Sequence, residues 1–255
     1  MNSTGQYVRD RNRLLSIYIT SEYPNAGDTT KSILALESSG VDMIEVGIPF
    51  SDPLADGPVI QESSMQALVN GFKLAKLFED LKQIREEVSI PLVPMGYFNT
   101  VLQYGVELFL KQCEDLAIDT VILPDLPIEQ YKYTYRPLFK QYGVCPVFLI
   151  SPRTEKERIR EIDDLSESFI YMVADNSITG AKDGLSDSQE AYFERIKEMG
   201  LRSPIIIGFG ISDKNSFDTA TRFANGAIIG SAFIRAVSGE GDLEEKIQEF
   251  VNNIR

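Results

Sequence analysis

The sequence predicts an α/β protein of the (β/α)8 TIM-barrel class, a single domain over residues 1–255 with extra helices at the N-terminus and after the second strand. Three observations carry that reading. The chain has 255 residues, a length that α/β barrels commonly use for one domain. Short β-rich apolar runs alternate with longer amphipathic stretches, as in βαβ units around a parallel sheet. The repeat runs at roughly 25 to 35 residues, about one βαβ unit each time, with no Pro/Gly/Ser-rich linker or low-complexity tract between. An open doubly wound sheet is the competing architecture, but it usually carries a glycine fingerprint after its first strand. Here that strand leads into Ser21-Glu22-Tyr23-Pro24, which has no glycine.

Taken in order, the eight apolar runs are Leu15 to Thr20, Met43 to Gly47, Leu92 to Met95, Thr120 to Leu123, Pro146 to Ile150, Phe169 to Val173, Ile205 to Gly208 and Ala227 to Gly230. Several intervening helices have legible ends. Asp28 precedes Thr29 to Ser39 and Gly40 stops it; Gly105 stands before Val106 to Ala117; Asp213 precedes Lys214 to Phe223. The second interval is longer than the rest because Gln61 to Asn70 and Leu74 to Val88 both read as helical, with Gly71 between them. One additional helix therefore follows the second strand, which makes that connection a candidate functional loop.

Composition narrows the function classes. The chain is 43% hydrophobic and 25% charged, enough apolar material for a sizeable core and far from a disordered usage. Its formal net charge of −13 repels polyphosphate backbones and anionic lipid, so neither nucleic acid nor a membrane is an expected partner. Histidine is absent, which removes Ser-His-Asp and Cys-His nucleophile pairs and leaves acid–base work to Asp, Glu, Lys or Tyr. The two cysteines, Cys113 and Cys145, form neither a disulfide framework nor a metal-ligand spacing, and no metal is expected. No apolar signal core opens the chain, and no run approaches a membrane span, so the expected address is a reducing cytoplasm.

The densest chemical feature is the run from Ile44 to Pro58, IEVGIPFSDPLADGP. Glu45 lies within a strand, and barrel strands are covered on both faces, so its carboxyl is buried whichever way it points. Burial without a fixed cation raises a carboxyl pKa and allows one group to give and take a proton near neutrality. The competing reading is a structural Glu held by backbone donors or a basic neighbour. Asp56 follows in a stretch stiffened by three prolines, although Asp-Pro and Asp-Gly are also ordinary turn dipeptides. Glu45 and Asp56 together form the candidate catalytic pair.

Glycines make the second constellation. Gly208-Phe209-Gly210-Ile211-Ser212 follows the seventh strand, and Gly230-Ser231-Ala232 follows the eighth and opens a helix. Barrels commonly bind phosphate there, because exposed backbone N–H groups and a helix dipole favour an anion. Ile178-Thr179-Gly180 after the sixth strand adds further donors, so Thr179, Gly180, Gly210, Gly230 and Ser231 are candidate ligands of a phosphorylated small molecule. Tyr18, Tyr97, Tyr171 and Phe209 stand at or beyond strand ends on the same face, which suits a flat aromatic body.

From Ile44 to Gln61 the chain resembles the signature of the tryptophan synthase alpha chain family almost letter for letter. Asp125-Leu126-Pro127-Ile128-Glu129, Ile178-Thr179-Gly180, Gly208 to Ser212 and Gly230 to Ala232 match further motifs in the right order, so the resemblance spans essentially the whole chain. It implies a barrel that cleaves indole-3-glycerol phosphate to indole and glyceraldehyde 3-phosphate, a retro-aldol reaction with no cofactor in this chain. It further implies Glu45 protonating indole C3 and assisting removal of the hydroxyl proton, and Asp56 accepting a hydrogen bond from the indole N–H. Thr179, Gly180, Gly210, Gly230 and Ser231 are implied around the phosphate, with Tyr18, Tyr97, Leu149, Tyr171 and Phe209 around the indole. The implied partner is a beta chain carrying pyridoxal phosphate (PLP), in an alpha2beta2 complex.

Two stretches depart from the family pattern. Ser21-Glu22 stands where the family usually has a Gly before an acidic or aromatic residue and Pro, and Ala174 and Ser177 stand where a Ser and a Gly are usual. The second stretch closes over substrate in the family, so these departures bear on closure and mutual activation more than on cleavage. A non-catalytic binding subunit and a free-standing lyase are the alternative readings; retention of both Glu45 and Asp56 argues against the first.

Overall fold

The computed structural model describes residues 1–54, 56–174 and 187–255. Eight parallel strands pair in chain order, and the eighth returns to the first to close a barrel. They are β1 (Leu14–Thr20), β2 (Met43–Gly47), β3 (Leu92–Met95), β4 (Thr120–Ile122), β5 (Cys145–Ile150), β6 (Ile170–Val173), β7 (Ile205–Gly208) and β8 (Gly226–Ile229). Each corresponds to one of the apolar runs, with ends displaced by no more than one residue. Every residue of β1 and β2 is buried, as expected of strands with a filled interior on one side and helices on the other.

The helices are α1 (Ser3–Arg9), α2 (Asp28–Ser38), α3 (Pro58–Val69), α4 (Leu74–Ile84), α5 (Phe98–Tyr104), α6 (Val106–Asp115), α7 (Ile128–Gln130), α8 (Arg136–Gln141), α9 (Lys156–Leu165), α10 (Asp187–Glu198), α11 (Lys214–Ala220), α12 (Ser231–Val237) and α13 (Leu243–Ile254). A π-helical turn, Tyr131–Tyr135, joins α7 to α8. The additional helix after β2 is α3, which packs on β1 and α12. Among the described residues no helix is long and apolar enough to cross a membrane.

Helix ends differ from the periodicity in an instructive way. The apolar pattern predicts a helix from Leu74 to Val88, yet α4 stops at Ile84. Val88 stays buried because a turn returns it to the core, its amide donating to the Ile84 carbonyl at 3.1 Å. Asp28 is not a cap before its helix but the first helical residue, behind Gly27 in the left-handed region. Its carboxylate instead accepts from the backbone and side-chain nitrogens of Asn25. Asp213 does cap α11, in a reciprocal arrangement with Ser216 that satisfies two orphan donors.

The barrel floor, at the N-terminal ends of the strands, is closed by α1. Asn2 caps that helix through the Gly5 N–H and passes its own amide to the Asp119 carbonyl and the Thr120 hydroxyl. The Asp119 carboxylate in turn accepts from the backbone N–H and hydroxyl of both Ser3 and Thr4 at 2.5 to 3.2 Å. Cys145 lies at this floor, its thiol accepting from the Asn2 amide at 3.1 Å, and Cys113 lies within α6; both are buried and neither forms a disulfide among the described residues.

Candidate active site

At the opposite face, Glu45 sits in the middle of β2, only 1% exposed, in register with Tyr18 of β1 and Val93 of β3. Among the described residues, neither of its carboxyl oxygens has a hydrogen-bond partner. Barrel closure explains its burial, but not its isolation. The backbone donors or cation that a structural role for this Glu calls for are not found among the described residues. Desolvation alone pushes its pKa up to about 8, so near neutrality the group keeps its proton.

Asp56 lies on the β2–α3 connection. Its carboxylate accepts a hydrogen bond from the Tyr97 hydroxyl at 2.9 Å, and its carbonyl accepts one from the Gln61 amide at 2.8 Å. Burial raises its pKa, and the Tyr97 hydrogen bond opposes that shift. The Tyr97 ring stacks on Phe50 with centroids 4.9 Å apart. Phe50 lies within the signature run, yet apolar character alone does not distinguish it from a core residue. Only the fold shows that it supports a polar partner of Asp56.

The two carboxyls share one space with two phenols. Burial raises the pKa of Tyr18 most, followed by the charges of Asp56 and, more weakly, Glu45. Burial likewise dominates at Tyr171, with Glu45 and then Asp56 adding to it. Both rings also lie tight against strand-end glycines. A Cβ on Gly47 would lie 2.3 Å from the Tyr18 hydroxyl, and one on Gly208 would lie 2.0 Å from that of Tyr171. These glycines are spacers that let phenols cross the backbone.

The remaining expected residues are distributed around this cluster. Leu149 of β5 is half-buried and in register with Tyr171, and Phe209 meets the Tyr171 ring edge-on at 6.0 Å. Phe209 takes a positive φ of 64° and Gly210 one of 76°, so a non-glycine residue is held in the left-handed region just past β7. Gly230 caps α12 beside the Tyr18 ring, and Ser231 is that helix's first residue. Gly210, Gly230 and Ser231 thus occupy the C-terminal ends of adjoining strands. Thr179, Gly180 and Ser177 lie outside the described residues.

The departure after β1 has a structural explanation. Glu22 takes a φ of 61°, the conformation for which glycine is the usual choice. Its buried carboxylate accepts from the Gly27 N–H at 2.9 Å and the Thr29 hydroxyl at 3.1 Å, with Lys76 of α4 at 3.4 Å. The Asn70 amide donates to its carbonyl. These contacts offset a backbone strain of about 1 kcal/mol.

The model of the family described as tryptophan synthase alpha chain matches residues 6–254. The chain belongs to the tryptophan synthase alpha chain family. It is 54% identical to the tryptophan synthase alpha chain of Flavobacterium johnsoniae over the full length of both, and 51% identical to that of Christiangramia forsetii over 100% of this chain and 99% of that one. Its structure superposes on the tryptophan synthase A-subunit of Pyrococcus furiosus with a TM-score of 0.88, at 33% identity, covering 96% of this chain and 98% of that one. A chain of the tryptophan synthase complex from P. furiosus gives 0.86 at 32% identity, with the same coverage of each. With the family comes its activity, the lyase reaction on indole-3-glycerol phosphate in tryptophan biosynthesis.

Proposed function

We propose that Glu45 and Asp56 perform the retro-aldol cleavage in a single domain spanning residues 1–255. The carrying observation is a carboxyl with no partner, buried beside a second carboxyl and two phenols at the mouth of the barrel. Held neutral by burial, Glu45 has a proton to give to indole C3, and the ring nitrogen becomes positive as it does so. The bond from C3 to the side chain then breaks and its electrons return to the ring. The hydroxyl on the departing carbon loses its proton to the Glu45 carboxylate and becomes the aldehyde. The glutamic acid is restored, and because an unpaired buried carboxylate is unfavourable, the second transfer is driven by the same desolvation that prepared the first.

Asp56, oriented by Tyr97, accepts the indole N–H and balances the positive charge that builds there. Tyr18, Tyr97, Leu149, Tyr171 and Phe209 line the indole site; Thr179, Gly180, Gly210, Gly230 and Ser231 hold the phosphate. No cofactor is assigned to this chain. A beta chain carrying PLP receives the indole in an alpha2beta2 complex, and a reducing cytoplasm is the proposed address; two buried cysteines without a disulfide fit that reading.

The test is indole release from indole-3-glycerol phosphate, with and without a cognate beta chain. Slow release alone and faster release with the partner is the expected outcome. Fast release alone would make the chain a free-standing lyase. No indole under either condition would make it a non-catalytic binding subunit.

A further inference from the structure

We propose that Asp125 is a positioning residue of the cleavage reaction, acting on Asp56 through Tyr97; the inference rests on the role given to Asp56 above. Tyr97 is the cap residue of α5, yet its side chain makes no capping hydrogen bond to that helix. The cap comes from another strand connection: the Asp125 carboxylate, just past β4, accepts the Phe98 N–H at 2.7 Å. An acceptor at the first turn of a helix satisfies an orphan donor and complements the dipole, so Asp125 ties the start of α5 to the end of β4.

The same joint is clamped from the other sides. The Gly96 N–H donates to the Ile122 carbonyl of β4 at 3.1 Å, and a Cβ on Gly96 would lie 2.7 Å from Cβ of Ile48. Phe98 is buried edge-on against Tyr135 at 4.9 Å. With its backbone held on both flanks and its ring stacked on Phe50, Tyr97 has its hydroxyl aimed at Asp56. Asp125 itself is exposed and, among the described residues, is hydrogen-bonded to neither Glu45 nor Asp56, so its effect on chemistry runs through the Tyr97 backbone.

The experiment is steady-state indole release by the full chain on indole-3-glycerol phosphate for Asp125→Ala, Asp125→Asn, Tyr97→Phe, the Asp125→Ala/Tyr97→Phe double variant and Asp56→Asn, with thermal midpoints alongside. Asp125→Ala should lower kcat about fivefold, the effect of one ordinary hydrogen bond, with KM little changed. Asp125→Asn, which keeps an acceptor oxygen, should restore most of it. The acid limb of the kcat/KM profile should move to higher pH in Asp125→Ala, because a loosened Tyr97 hydrogen bond lets the Asp56 pKa rise. In the Tyr97→Phe background Asp125→Ala should have little further effect on kcat. Independent, multiplying losses, or a lower midpoint with unchanged kcat, would overturn the proposal while Asp56→Asn remained impaired. Unimpaired turnover in Asp56→Asn would instead remove the role of Asp56 itself.

Discussion

The two ends of the barrel treat a carboxyl in opposite ways. At the floor, Asp119 receives four hydrogen bonds from Ser3 and Thr4 and serves to dock a helix. At the mouth, Glu45 is more deeply buried and receives none from the described residues. Elsewhere in the scaffold, buried acids follow the floor: Asp163 accepts the backbone N–H groups of Arg202 and Ser203, and Glu22 accepts the Gly27 N–H and the Thr29 hydroxyl. The lesson is that burial alone does not set how tightly an acid holds its proton. Withheld hydrogen bonds do, because each donor to a carboxylate stabilises its charged form and takes away its readiness to carry a proton.

The strongest way to break this contrast is Glu45→Gln. Turnover should fall about 10³-fold, the middle of the range for general acid–base catalysis, while affinity for a phosphate ligand stays close to that of the unaltered chain. Indole release together with ligand titration checks it, and near-normal turnover would end the assignment.

Stability should carry a second signature of the same isolation. In the folded chain Glu45 holds its proton to about pH 8, whereas the unfolded chain releases it near 4.5. The folded state therefore binds the proton more tightly, and stability should decline as pH rises across that interval and then level off. The loss is about 5 kcal/mol. Glu45→Gln, with no proton to lose, should melt roughly 10 °C above the unaltered chain near pH 8.5. Coincident melting curves there would mean that the folded carboxyl is not isolated.

Asp56→Asn sharpens the comparison within the mouth. The amide is uncharged at the point where the ring nitrogen turns positive, so kcat should drop about 10²-fold. An unchanged rate would leave Asp56 as a mere anchor for Tyr97. At the floor, Asp119→Ala should have the smallest effect of the four and on a different quantity. It should cost about 2 kcal/mol of stability, some 5 °C in melting temperature, with kcat unaltered. A catalytic defect without a stability loss would erase the division between the two ends.

Much of this molecule was legible before any coordinates. The eight apolar runs became the eight strands, because a strand covered on both faces needs a nearly continuous apolar stretch, and Thr120 to Ile122 satisfies that even at three residues. Glu45 stood out as a charged residue inside such a run. Asp56 was readable only as a member of a dense motif, since nothing local shows that Tyr97, 41 positions away, turns its hydroxyl to it. Phe50 and Asp125 stand within dense motifs, but nothing local to either gives it a role. Glu22 registered as a departure from pattern, and its positive φ and the contacts that support it appear only when α4 supplies Lys76.

By itself, then, the order of residues determined the barrel, the depth of Glu45 and the ring of strand ends on which the candidate ligand-binding groups stand. Those depend on periodicity and on strand interiors, which are local properties of a chain. The tertiary structure alone decided that Glu45 is left without donors, that Tyr97 meets Asp56 and that Asp125 holds the joint between them. Whether a buried polar group finds a partner depends on every segment packed around it, and that neighbourhood exists only once the barrel has closed.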